Sequence, residues 1–82
     1  MIITENTNLN ATLESTDSEG NKKQIVSINS NLTQNSKNFN FSYTIMDEEE
    51  VEANLEDIQT QMDEFMVALK AKMVNMGYKV TI

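Results

Sequence analysis

Val51, Leu55, Ile58, Met62, Phe65, Leu69, Met73 and Met76 recur at steps of four and three, which places them on one face of a 3.6-residue spiral and leaves the other face polar. This repeat constrains the fold most, because an apolar stripe of that width needs an apolar surface to lie on. Both ends of the segment carry signals. Asp47 is a good N-cap with Glu50 three residues on, the spacing of a capping box, and Glu48 and Glu49 add acids to the first turn. Lys70 and Lys72 lie toward the far end, in the order the helix dipole favours, and Gly77 suits the left-handed residue that closes a helix. The pattern predicts one unbroken helix from Asp47 to Gly77, about 43 Å long at ~1.5 Å per residue.

The surface for that helix is written in the first half, where the period is two. Leu9, Ala11 and Leu13 alternate with Asn8, Asn10, Thr12 and Glu14, which predicts a half-buried strand over roughly residues 2 to 14. Ser15 to Asn21 is dense in turn formers and predicts a hairpin loop, with Gly20 able to take positive φ. Val26, Ile28 and Leu32 mark the inner face of a second strand, and Ile25 falls on its outer side as an apolar exception. Thr33 to Asn38 is a second polar loop. Phe39, Phe41, Tyr43 and Ile45 then alternate with Asn40, Ser42, Thr44 and Met46 as the clearest strand of the chain. Short loops between three strands predict an antiparallel meander.

The expected fold is therefore α+β: a three-stranded antiparallel meander followed by one long C-terminal helix packed on one sheet face (β-β-β-α), spanning residues 1–82 as a single small domain. Tyr78 to Ile82 alternates again and is an even choice between a short final strand and none. Strands of nine residues reach only ~30 Å, so a turn or two of helix is expected to project past the sheet at one end. A core of this size is marginal alone, and association would help it.

Composition narrows the function classes. The chain of 82 residues contains no His, Cys, Trp or Pro, and its only cations are Lys22, Lys23, Lys37, Lys70, Lys72 and Lys79. It therefore lacks a side chain that titrates unperturbed near neutrality, a thiolate for metal, and the bidentate guanidinium clamp of arginine. No catalytic, cofactor-binding or metal-binding residue is assigned, and an enzyme is not expected. A net charge of −7 repels a phosphate backbone, so direct nucleic-acid binding is not expected either. No segment approaches the ~20 apolar residues of a membrane span, and the start has neither the basic nor the apolar region of a secretory signal. A cytoplasmic protein without membrane contact is the expectation. Heavy use of Asn with no Arg fits AT-rich coding sequence, as in low-GC bacteria and their phages.

Three surfaces are candidates for binding. The helix carries Glu52, Glu56, Asp57, Asp63 and Glu64 with no cation before Lys70. This is either an ordinary solvated face or an acidic surface offered to a basic partner, in the extreme a mimic of nucleic-acid charge. Met66, Met73 and Met76 widen the apolar stripe and serve either as adaptable core filler or as part of a contact surface. The outer sheet face is uncharged, with Asn, Ser and Thr on all three strands, and the edge strands carry few charges, which leaves sheet extension between chains open. The Asp17-Ser18-Glu19-Gly20-Asn21 loop lacks the ligand spacing of a calcium loop and is read as a turn. The expected function is a non-enzymatic interaction or assembly protein, pairing with itself as a homodimer or with another protein through the helix seam or the sheet edge. The alternative is an acidic inhibitor of a nucleic-acid-binding protein.

Overall fold

The computed structural model describes residues 1, 6–33 and 37–82. Strand β1 (Asn6–Thr16), strand β2 (Lys22–Thr33) and strand β3 (Phe39–Ile45) form one antiparallel sheet in the order β1-β2-β3. Two helices follow, α1 (Glu48–Ala53) and α2 (Leu55–Asn75). The expected meander and the long C-terminal helix are both present. The part of the first strand expected over residues 2–5, and the middle of the second loop at 34–36, lie outside the described residues.

The β1–β2 loop is closed by Asp17, whose carboxylate accepts the backbone N–H groups of Glu19 and Asn21, each at 2.9 Å. Those bonds, that from Asn21 foremost, hold the Asp17 carboxyl below its ordinary pKa. Gly20 takes φ +86, as its place in the turn requires.

One irregularity in the sheet has wide consequences. Leu13 pairs with Val26 but Glu14 pairs with Gln24, so Ile25 is an extra residue on β2, a β-bulge. The strict alternation that placed Ile25 on the outer face fails here, and Ile25 and Val26 are both buried. Past the bulge the parity of β2 is reversed. Lys23 pairs with the buried Ser15 and so faces the helices, where its ammonium meets the Asp47 carboxylate at 2.5 Å. Asp47 in turn accepts the Glu50 N–H as the N-cap of α1. The bulge thus delivers a cation to the helix start.

The helical segment is broken once, at Asn54, which corrects the expectation of an unbroken rod. Asn54 adopts φ −124, ψ 32 and ends α1 while opening α2. Its side-chain amide donates to the Glu50 carbonyl at 2.8 Å, competing with the backbone ladder in the manner that makes Asn a poor helix-interior residue. The far end follows expectation in detail. Gly77 takes φ +91, its N–H bonds the Val74 carbonyl, and the Tyr78 N–H bonds the Met73 carbonyl, a Schellman closure with Met73 and Tyr78 packed together.

Two connected clusters make the core. Leu13, Ile25, Val26, Ile28 and Ile58 form one, and Leu32, Leu69, Met73 and Tyr78 the other. Phe41 and Phe65 belong to the rim of both and lie 6.5 Å apart, joining them. Tyr78 to Ile82 adds no strand: Tyr78 is instead buried, its hydroxyl donating to the Asn38 carbonyl. Strand β2, with 12 residues, spans about 40 Å, longer than the nine-residue strands from which a helix overhang was expected. At one end Ser15 donates to Glu50 of α1, and at the other Tyr78 reaches the β2–β3 connection.

Candidate interaction site

The helices do not sit squarely on the sheet. Helix α2 lies against β1 and α1 against β2, so the inner face of β3 is left partly open. The Phe39 to Ile45 ladder accordingly splits along its length. Phe39 and Phe41 are half-buried under α2, whereas Tyr43 is 54 % and Ile45 42 % exposed. The break at Asn54 compounds this by turning Leu55 out of the stripe to 60 % exposure. Tyr43, Ile45, Leu55, Met62 and Met66 thereby border an open apolar groove of about 490 Å³ between β3 and the helices. Asp63 is the charged residue on its rim.

The two edges of the sheet are treated differently. At β1, the Gln61 side chain of α2 reaches over the edge to Glu14, its amide N–H donating to the Glu14 carbonyl at 2.8 Å and its oxygen accepting the Glu14 N–H at 3.2 Å. A side-chain amide stands there where the backbone of another strand would otherwise pair. At β3 the pairing pattern can be followed from one bond. The Met46 N–H donates to the Ile25 carbonyl, continuing the register in which Ile45 lies opposite Val26. Hydrogen-bonded positions alternate in an antiparallel ladder, so Asn40, Ser42 and Thr44 direct their backbone groups to β2. Phe39, Phe41, Tyr43 and Ile45 direct theirs to the open side. The Phe39 N–H is taken up by the Asn38 side chain at 2.8 Å. The strand, FNFSYTI, has no charge, proline or glycine, and its register with β2 runs without a shift. None of the usual devices that blunt an edge is present in it.

The outer face of the sheet is uncharged from Asn8 to Thr12 of β1 and across the strands opposite, as the sequence indicates, and carries Glu14 and Lys22 only toward the β1–β2 loop. Asn8, Asn31 and Asn40 align in one row across the strands and Asn10, Asn29 and Ser42 in the next. Asn31 donates to Asn8 at 2.7 Å, so part of this amide layer is bonded within itself. On the inner face the buried Ser30 hydroxyl donates to the Leu9 carbonyl.

The acids singled out from the sequence, Glu52, Glu56, Asp57, Asp63 and Glu64, are all exposed, but the helix divides them. Asp57 accepts from Gln61 and so lies on the β1 flank, while Asp63 lies on the β3 flank at the groove. Of the methionines, Met66 borders the groove, Met76 is half-buried against the second cluster, and Met73 is core, only 3 % exposed. The pattern missed Tyr43, Ile45 and Leu55 as surface residues and Gln61 as an edge cap. Asn54 in mid-stripe and the adjacent pair Ile25-Val26 were the signals available for the break and the bulge. Among the described residues, no cluster of acids is arranged to hold a metal ion, and no helix is long and apolar enough to cross a membrane.

Comparison with known proteins found no matching family model, no matching curated protein and no matching solved structure.

Proposed function

We propose that this chain is a non-enzymatic protein–protein interaction or assembly module, acting in the cytoplasm of a bacterium or phage-infected cell, and that it associates through the open edge of its sheet. The observation that carries this reading is β3: an uncharged strand at the edge of the described sheet, whose Phe41, Tyr43 and Ile45 direct their backbone groups away from β2, next to an apolar groove. Contiguous apolar surface of this kind on a small monomer marks a contact site. Of the two routes weighed from the sequence, the edge is the better supported. The stripe from Ile58 to Met73 is taken up by the chain's own sheet and is not free to form a seam with another helix. Sedimentation velocity over a wide concentration range tests the reading. A rise in sedimentation coefficient with concentration, or capture of a defined protein partner lost on altering β3, is expected; a strict monomer with no such partner overturns it.

A second reading keeps the acidic helix as a surface for a basic protein. It is favoured by the five exposed acids, none of which takes part in the Lys23–Asp47 ion pair. The division of Asp57 and Asp63 onto opposite flanks weakens it. Ionic strength separates the two readings: an acid–base complex loosens steeply with salt, whereas contact through an apolar, uncharged edge does not.

A further inference from the structure

We infer that the occupant of the β3 edge is a second copy of this chain, paired antiparallel about a two-fold axis at Ser42, so that two three-stranded sheets become one continuous sheet. The inference rests on the association reading above and adds to it the partner, the strand and the register.

The register follows from the strand itself. With Ser42 opposite Ser42, all of β3 is paired, and the residues whose backbone groups point outward fall opposite one another: Phe41 of one copy faces Tyr43 of the other, and Phe39 faces Ile45. Phe41 and Tyr43 exchange both backbone bonds across the axis. Each Ile45 N–H meets the other copy's Phe39 carbonyl, and the Asn38 cap on the Phe39 N–H stays in place. Side chains agree with the backbone. On the inner face aromatic meets aromatic and Phe39 meets Ile45, the cross-strand pairs that favour a sheet. On the outer face Asn40 meets Thr44 and Ser42 meets Ser42. No charged residue lies in the paired strands, so two chains of net charge −7 meet along a strand that carries no charge.

Area and closure point the same way. The exposed parts of Tyr43, Ile45 and Leu55, with the remaining surface of Phe41, Met62 and Met66, offer on the order of 400 Å² of apolar surface per copy. A standard interface takes roughly 800 Å² per partner, and the strand backbone supplies much of the rest. A two-fold pair through β3 leaves β1 at both outer edges, where Gln61 occupies the backbone groups of Glu14 and the Glu14 carboxylate opposes a further strand. Assembly therefore closes at two copies instead of running on as a filament. A basic peptide has little to recognise on this edge, since Asp63 is the charged residue at the groove.

The chain has no cysteine, so single cysteines report on the register without background. Residues opposite each other at a non-hydrogen-bonded antiparallel position have Cα atoms ~4.5 Å apart, within disulfide reach. Ser42→Cys is expected to oxidise to a covalent dimer. Asn40→Cys and Thr44→Cys are each expected to stay uncrosslinked alone and to crosslink when mixed, and Thr12→Cys on the outer face of β1 is the control that does not. Circular dichroism confirms the fold of each variant. If the unmodified chain dimerises by sedimentation while Ser42→Cys crosslinks no faster than Thr12→Cys, the β3 register is overturned and association through another surface stands. If the unmodified chain is a strict monomer, the inference fails outright; if it is also captured by a defined protein through β3, the association reading survives with a different occupant.

Discussion

The two edges of this sheet are made from similar material and end in different states. Strands β1 and β3 both alternate apolar and small polar residues, and both carry Asn, Ser and Thr on their outer faces. What separates them is the placement of the helix. Because α2 lies against β1, Gln61 is within reach of the Glu14 backbone, and one long polar side chain stops that edge from accepting a strand there. The same placement strips cover from β3, whose inner face looks into an open groove. Protection of one edge and exposure of the other are thus a single structural event. The two edges differ in composition by one charge, Glu14 of β1, and the off-centre covering layer adds to that difference a cap on one edge and an open groove beside the other.

The largest expected effect comes from removing a side chain that anchors the helix on the sheet. Leu69 is fully buried against Leu32 and Met73, and Leu69→Ala is expected to cost about 2–5 kcal/mol in a denaturant melt. A loss below about 1 kcal/mol would mean that α2 is not anchored where the core places it. Next is a charge at the exposed edge. Tyr43→Lys is expected to weaken self-association about tenfold or more in sedimentation experiments while changing monomer stability by only about 0.5 kcal/mol, as surface substitutions do. An unchanged dimer would equate the two edges and remove the contrast. Smaller again is the loss of the cap. Gln61→Ala deletes both bonds to Glu14, for an expected cost of about 1 kcal/mol. The more telling result is in assembly, where species larger than the dimer should appear once β1 can pair; a distribution identical to the parent would show that Gln61 is not what closes that edge.

How much of this was legible from residues alone depends on whether the signal was periodic. The three strands, the Asp47 cap and the Gly77 closure follow from alternation and from local backbone chemistry, which act over a few residues and leave a mark at each. The break at Asn54 was within reach, since an Asn in mid-stripe can bond the carbonyl four residues back, but the apolar repeat continues straight through it and hides it. The bulge at Ile25 was visible only as an alternation error. Its effect on Lys23 was not, because Lys23 meets Asp47 only once three strands are in register. The lateral position of the helix left no sequence mark. The stripe from Ile58 to Met73 states that α2 has an apolar face, yet not which strands it covers, and so neither the exposure of Tyr43 and Ile45 nor the role of Gln61 could be read. The acids show a part that was legible, for Asp57 and Asp63, six residues apart, stand about 120° apart around a helix, although which edge each faces was not.

The smallest expected effect concerns the ion pair that the bulge delivers to the helix start. The hydrogen bond and charge of Asp47 raise the pKa of Lys23 above its ordinary 10.5, and Lys23 first, then the Glu50 N–H, lower that of Asp47 below its ordinary 3.8. The signs fix the window. A lowered carboxylate contributes stability above its ordinary pKa, and that contribution is lost as pH falls through the lowered value; a raised ammonium contributes below its ordinary pKa and loses that contribution as pH rises through the raised value. The pair therefore stabilises across neutral pH and fades at both extremes. Lys23→Met keeps Asp47 as the N-cap and removes only the partner, so its melting temperature should fall slightly short of the parent's near neutrality and converge with it in acid below the Asp47 titration. Both groups are exposed to solvent and salt, which keeps the difference small and makes it shrink further as ionic strength rises. A gap that persisted unchanged in acid would show that the loss does not come from charge pairing with Asp47, and the link between the bulge and the helix start would then not be electrostatic.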